Sequence, residues 1–304
     1  MKYNKVKMVL EVIHMAFNKL KHLLKQLVFV LIFIFLASII VLTLNQLFNK
    51  THIKNMSNET SIPTFFLHGF AGTANSEKYM VNSAIQNNIT NDVVEAKVSS
   101  KGKVTFNKNI VNNMKRPIIK IIFEDNEEKD LEKDAQWIKN VMIAFNAKYH
   151  FKKFNFVAHS MGNQSFSYYM LKYGDDSALP KLNKQVSLAG NFNGEVDING
   201  LDLNIYLDKN GKPNRMLKEY RNLLSMQAHY PRNAEVLNIY GDLKDGTHSD
   251  GRVTNVSSES LRYLLSNHVK TYKTYKVYGP KAEHSELHDN KKVTDQMNAF
   301  LWGL

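Results

Sequence analysis

The chain contains no cysteine in 304 residues, so neither disulfide bonds nor thiolate metal sites are available to it. A fold of this kind is stabilised by its apolar core alone. With 43% hydrophobic residues the length suits one large domain, or one medium domain with an appendage. No internal repeat or low-complexity tract occupies the central and C-terminal parts, which excludes solenoid and fibrous architectures. No stripe of alternating basic and aromatic residues is present, so nucleic acid is not an expected partner. The histidines lack zinc spacing, and neither a metal nor another cofactor is expected.

Charge is also missing from one long window. Between Gln26 and Asn49 there is no Asp, Glu, Lys or Arg, and 27–44 reads LVFVLIFIFLASIIVLTL. About 20 such residues at 1.5 Å each cover roughly 30 Å, the hydrocarbon thickness of a bilayer. A buried core helix of that length would carry a polar face, and this one does not. Ahead of it stand Lys2, Lys5, Lys7, Lys19, Lys21 and Lys25 against a single acid, Glu11. That asymmetry predicts a cytoplasmic flank over 1–25, a single-pass anchor over 26–49 and a catalytic part outside the cell membrane. A cleaved signal peptide is the competing reading, but the apolar run is long and no small-x-small site follows it.

Of the net charge of +12, the flank supplies +5 and the remainder +7. The mildly basic remainder would tolerate an anionic surface, although scattered lysines are ordinary solvated groups. The polar stretch 50–61 has no periodicity and reads as a linker. A folded domain is expected over 62–304.

Within 62–304, short β-rich runs alternate with helical stretches, the pattern of an α/β fold with a mainly parallel sheet and helices on both faces. Expected strands are 64–67, 118–123, 154–158, 185–189, 235–240 and 271–278. Expected helices are 76–89, 128–149, 161–173, 257–265 and 291–302. A Lys-Gly-Lys between two alternating runs in 93–106 predicts a hairpin beside the main sheet.

The interval between the strands ending near Ala189 and starting near Glu235 is too long for an ordinary connection, so 195–232 is a candidate cap. Met216, Leu217, Tyr220, Leu223, Leu224 and Gln227 recur at helical spacing in it. They predict an amphipathic helix over 214–228, either roofing an acyl pocket or buttressing the sheet.

The chemistry-bearing signal is Ala158-His159-Ser160-Met161-Gly162, set between a buried strand and a helix. Small residues two before and two after the serine let the chain turn sharply enough to lift its hydroxyl above the sheet, so Ser160 is the expected nucleophile. The alternative is an ordinary helix-capping serine. A strand ending in His68-Gly69 and followed by small residues resembles the loop that supplies an oxyanion donor. Phe70 and Met161 are therefore the expected donors, through their backbone N–H groups.

In this type of fold the acid and the histidine follow the serine in that order. Asp250 opens a D-x-x-V pattern before a helix and is the expected acid, with Asp242 and Asp245 as competitors. That acidic loop does not match an EF-hand. Two histidines compete for the base, His284 and His288. Small lipases, some sharing the A-H-S-M-G string, place it shortly before a helix patterned V-x-x-x-[IM]-x-x-F-L. The run 293–301 has that pattern and selects His284, leaving His288 as the alternative. His68, His159, His229, His248 and His268 are expected to be structural.

Taken together, HGFAGTANSEKYM, AHSMGNQSF, LAGNFNG, SDGRV and HSELHDN resemble a family of α/β-hydrolases from low-GC Gram-positive bacteria, described as cell-surface hydrolases or DUF915. The resemblance covers 62 to the C-terminus. It implies an α/β-hydrolase fold with a Ser-Asp-His triad, and fits a serine esterase or lipase acting on a small-molecule or lipid ester. Thioester, amide and acyl-transfer chemistry use the same triad, and a non-catalytic surface-binding protein on this fold is the reading from another class.

Overall fold

A computed structural model describes residues 2–60, 62–196 and 204–304. The chain divides into two compact units, Met1–Asn58 and Glu59–Leu304.

The first unit lies within a single helix, α1 (Lys2–Thr60), whose last two residues fall past the boundary. Its stretch Lys19–Leu47 is long and apolar enough to cross a membrane and buries none of its side chains. Its two hydroxyls turn back onto the helix: Ser38 Oγ donates to the Phe35 carbonyl at 2.7 Å and Thr43 Oγ1 to the Ile40 carbonyl at 2.8 Å. Self-satisfied polar groups are what a helix in hydrocarbon requires. The stretch 50–61, expected to be an irregular linker, is instead helical as far as Thr60. The reason lies in what the stretch lacks, since it holds neither glycine nor proline. Pro63 is the first breaker, and it pushes Ile62 out of the helical region.

The second unit carries an eight-stranded sheet: β1 (Thr64–Leu67), β2 (Val93–Val98), β3 (Val104–Phe106), β4 (Ile118–Phe123), β5 (Lys153–His159), β6 (Lys181–Leu188), β7 (Glu235–Asp242) and β8 (Thr271–Tyr278). Their spatial order is β3-β2-β4-β1-β5-β6-β7-β8. Every pairing is parallel except β2 with β3. The expected hairpin is therefore present, but its first strand belongs to the main sheet, paired with β4 rather than lying beside it.

The central strands are mostly apolar, broken by Lys120 in β4 and Asn155 in β5, because both of their faces are covered. Phe65, Leu67, Phe154 and Phe156 point into one core, with Trp137, Phe145 and Phe166 from α3 (Leu131–Tyr149) and α4 (Met161–Tyr173). Phe66, Val157, Val186 and Ile239 point to the other, which α2 (Lys78–Gln86) and α8 (Lys291–Trp302) close with Met80, Ala84, Val293 and Met297. Three short helices complete the unit: α5 (Lys218–Asn222), α6 (Asn255–Glu259) and α7 (Leu261–Leu265).

The first strand lies between β4 and β5, so the chain crosses from one half of the sheet to the other at β1. That reversal opens a crevice at the carboxyl ends of β1 and β5, where α/β sheets place their ligands. Leu67 sits opposite Ala158 in the register, which brings the chain after each strand to one place.

The expected helix over 214–228 is not continuous. It consists of α5, a turn, and a 3-10 helix at Met226–His229. Tyr220, Leu223 and Met226 are completely buried in the core that holds Phe166 and Tyr169. Around these three residues the segment packs as a buttress would; 197–203 lies outside the described residues. Leu223→Ser removes buried apolar volume and buries a hydroxyl, a loss of about 2–5 kcal/mol. Thermal denaturation should show a midpoint lowered by roughly 5–15 °C. Leu224→Ser, at a residue 44% exposed, should move it by no more than about 2 °C. Equal effects of the two variants would contradict the buttress.

Candidate active site

The turn from β5 into α4 is strained. Ser160 has φ 52° and ψ −129°, a left-handed conformation that a side-chain-bearing residue rarely adopts. Four hydrogen bonds hold it there. The Ser160 N–H donates to the Leu188 carbonyl at 2.9 Å, and the Asn163 amide nitrogen lies 3.1, 3.2 and 3.0 Å from the carbonyls of Ala158, Ser160 and Leu188. Gly162 is required by proximity: a Cβ there would stand 2.5 Å from the His68 carbonyl oxygen. Only glycine lets α4 start against the end of β1.

The hydroxyl raised by this turn meets His284, which follows β8. His284 Nε2 lies 2.9 Å from Ser160 Oγ, and His284 Nδ1 lies 2.8 Å from Asp250 Oδ2. A carboxylate accepts, so Nδ1 carries the ring hydrogen and Nε2 is left to accept from the serine. All three residues are at least 95% buried. Asp250 is itself fixed by its own loop, since Oδ1 accepts from the N–H groups of Arg252 at 3.0 Å and Val253 at 2.7 Å. The backbone N–H of His284 donates to the Asp250 carbonyl at 2.9 Å.

The competing residues sit elsewhere. Asp242 accepts from Asn255 at 2.9 Å and pairs with Lys276 at 3.1 Å, and Asp245 is occupied by Thr247. His288 does not reach the serine; its ring packs edge-on against His159, with centroids 5.0 Å apart.

The loop after β1 completes the site. Gly69 packs on the elbow so closely that a Cβ would meet Ser160 Cβ at 2.8 Å. Its carbonyl accepts from His68 Nδ1 at 2.8 Å and from the Gly72 N–H at 3.0 Å. The Gly69–Phe70 peptide is trans, so the Phe70 N–H points the opposite way. Neither that N–H nor the one of Met161 has an acceptor among the described residues. The tautomer of His68 is set by its other nitrogen, which accepts from the Phe123 N–H at 3.3 Å. Burial holds its pKa below the ordinary histidine value, partly offset by the Gly69 carbonyl, and the ring stays neutral.

Two further residues have roles in this geometry that the sequence reading did not assign. Asn163 braces the elbow, and its position three residues after the serine is the signal that would have found it. Asp134, on the first turn of α3, is fully buried beside Gly69 and Met161 at a cavity of about 10 Å³, enough for one water-sized group. Its Oδ2 accepts from Ser165 Oγ at 2.6 Å, while Oδ1 has no partner. No group of three or more His, Asp or Glu able to hold a metal occurs among the described residues.

A parallel sheet with a crossover at β1, a strained serine after β5 and an acid and a histidine after β7 and β8 define an α/β-hydrolase. Over residues 51–304 the chain matches, and belongs to, the family described as alpha/beta hydrolase of unknown function, DUF915. A crystal structure of the product of the Listeria innocua gene lin2722 is similar, with 27% identity and a TM-score of 0.70 over 80% of this chain and 94% of that one. A Lactobacillus plantarum protein that carries the description of a cell surface hydrolase shares the fold, with 19% identity and a TM-score of 0.63 over 79% and 89%. No curated protein sequence matches the chain.

Burial pushes the Asp134 carboxyl up to about 7, against the Ser165 hydroxyl that favours its ionised form. An acid whose pKa is higher folded than unfolded holds an extra proton in the folded protein. Its stabilising contribution is complete below the unfolded value and is lost as pH rises through about 7. Asp134→Asn should therefore gain in thermal midpoint relative to the parent protein between acidic and mildly alkaline pH. A difference that stays constant over that range would show that Asp134 is not the titrating group.

Proposed function

We propose that the protein is a membrane-anchored serine hydrolase acting on carboxylic esters outside the cell. The single observation that carries this reading is His284, bridging Ser160 Oγ at 2.9 Å and Asp250 Oδ2 at 2.8 Å. In the proposed reaction His284 Nε2 takes the Ser160 proton as Oγ attacks the substrate carbonyl. Asp250 holds the imidazole in the required tautomer and balances the imidazolium that forms. The N–H groups of Phe70 and Met161 receive the oxyanion. His284 then returns the proton to the leaving alcohol, and a water molecule activated by the same imidazole releases the acid.

The chemistry of the triad does not distinguish an ester from a thioester, an amide or a non-water acceptor. Esters are proposed ahead of amides because they need less help in expelling the leaving group. The lysine-rich flank before Gln26 supports an anchor with its N-terminus in the cytoplasm.

Turnover of p-nitrophenyl esters of increasing chain length tests the reading. Ser160→Ala should reduce kcat by about a thousandfold or more without loss of fold, and His284→Ala should match it, because triad members act as a unit. Asp250→Asn should be impaired far more than Asp242→Asn or Asp245→Asn. His288→Ala should keep most activity, and near-normal turnover by Ser160→Ala would end the proposal.

The two units of the chain lead to a second expectation. Removing residues up to Ser61 should release a soluble active domain, and protease added to intact cells should reach the domain of the full chain. An insoluble fragment, or full protection in intact cells, would contradict the anchored arrangement.

A further inference from the structure

The residue before the nucleophile, His159, takes no part in the chemistry just described, yet its ring is wrapped on every side. Its Nε2 lies 3.0 Å from the backbone carbonyl oxygen of His284. A carbonyl only accepts, so Nε2 carries a hydrogen and donates it. Burial, with His284 and His288 close by, holds the pKa of His159 well below the ordinary histidine value, so the ring is neutral. Its centroid is 4.8 Å from that of His284 and 5.0 Å from that of His288, the latter edge-on at 90°. On another side stands the oxyanion loop, where a Cβ on Gly69 would be 3.4 Å from His159 Nδ1.

We propose that His159 is a positioning residue whose Nε2–H clamps the backbone of the base, His284, to the strand that carries the nucleophile. The proposal rests on the reading of Ser160 and His284 as nucleophile and base.

The reason a clamp is needed follows from the other bonds to His284. Two of them, to its backbone N–H and its Nδ1, come from Asp250 and tie it to the loop after β7. The third is the bond to Ser160 Oγ, which is the reacting bond itself. Once Oγ is acylated that bond is gone, and the imidazole must still stand where it can take a proton from water. The His159 bond is then the remaining direct hydrogen bond between His284 and the elbow. It uses no reacting atom, so it persists through both halves of the reaction. His288 supports it by filling the space behind the ring, which accounts for a second histidine in the same loop without giving it a chemical step. Displacement of a catalytic group by about 1 Å can cost a hundredfold in rate, so a clamp of this kind is visible in kinetics.

The test uses the full chain in detergent, with p-nitrophenyl acetate as substrate and a fluorophosphonate as a probe of Ser160. His159→Phe keeps an aromatic ring but has no donor. It should lower kcat and the labelling rate by about 10- to 100-fold with KM within about twofold. His159→Gln, whose amide nitrogen matches Nε2 in reach, should recover to within about threefold, whereas the shorter His159→Asn should not. A space-filling role would instead lower the thermal midpoint in all three and leave kcat per folded molecule alike. Should His159→Phe fail to fold, the Gln and Asn pair decides, and equal kcat values for the two overturn the clamp.

Nitrogen-15 NMR of histidine-labelled protein supplies a readout independent of turnover. The clamp requires His159 Nε2 to carry a hydrogen from pH 5.5 to 8. The neutral Nδ1–H tautomer in that range, which leaves Nε2 without a hydrogen, overturns it. A parent protein inert to every ester and to the fluorophosphonate would sink the serine-hydrolase reading, while the tautomer measurement would still report on the bond.

Discussion

Ser160 is held at φ 52° by its surroundings, and the geometry of the rest of the site follows from that strain. An L-residue in such a conformation costs on the order of 1–3 kcal/mol and persists only where the structure around it over-determines the turn. The over-determination is identifiable. Asn163 reaches three carbonyls beneath the elbow, the Leu188 carbonyl takes the Ser160 N–H, and Gly162 lets α4 begin so close to β1 that a Cβ would stand only 2.5 Å from the His68 carbonyl oxygen. Relaxing the turn would lower Oγ toward the sheet and away from His284. It would also swing the Met161 N–H, since that peptide is the next one along.

The polar groups gathered around this turn are neutral or paired, as their burial demands. His68 and His159 are both kept uncharged by burial, and each donates to a carbonyl. The two differ in which nitrogen carries the hydrogen, because each ring is read by a different neighbour: the Phe123 N–H occupies Nε2 of His68, while the His284 carbonyl selects Nε2–H on His159. Through these two rings the loop after β1 and the loop that carries His284 are both referenced to β1 and β5, the two strands at which the strand order reverses.

Much of this was legible in the sequence, for reasons that particular residues make plain. Strands β1, β4 and β5 are buried on both faces, so they appear as apolar runs, and the elbow announces itself because Ala158 and Gly162 must be small. The order of Ser160, Asp250 and His284 follows from chain connectivity in this fold, and the helix pattern at 293–301 separated His284 from His288. Other features left no such mark. The helical course of 50–60 depends on the absence of a breaker rather than on any periodic signal. Leu223 and Leu224 look alike in sequence, yet one is completely buried and the other 44% exposed, because a break after α5 rotates the chain between them. The role of Asn163 depends on three carbonyls from separate strands and loops, and that of His159 on a carbonyl 125 residues away. The spacing of Asn163 from the serine is a local cue, whereas no local pattern encodes the contact of His159.

The long segment between β6 and β7 shows how the core and the site are coupled. Its lower part is core, with Tyr220, Leu223 and Met226 completely buried and the Tyr220 hydroxyl donating to the Ser260 carbonyl at 2.8 Å. Its upper part is tied to the acid. The N–H of Val196 donates to the Arg252 carbonyl at 2.8 Å, and the Arg252 side chain pairs with Glu195 at 3.2 Å. Asn193 joins the two parts, accepting from the Leu217 N–H and donating to the Arg215 carbonyl, each at 2.9 Å. Arg252 and Val253 are the residues whose backbone N–H groups hold Asp250 Oδ1. The carboxylate that orients His284 is therefore positioned from outside by a segment whose own position is set by apolar burial. That accounts for the length of the connection: it must reach the sheet face to be fixed and the carboxyl edge to act.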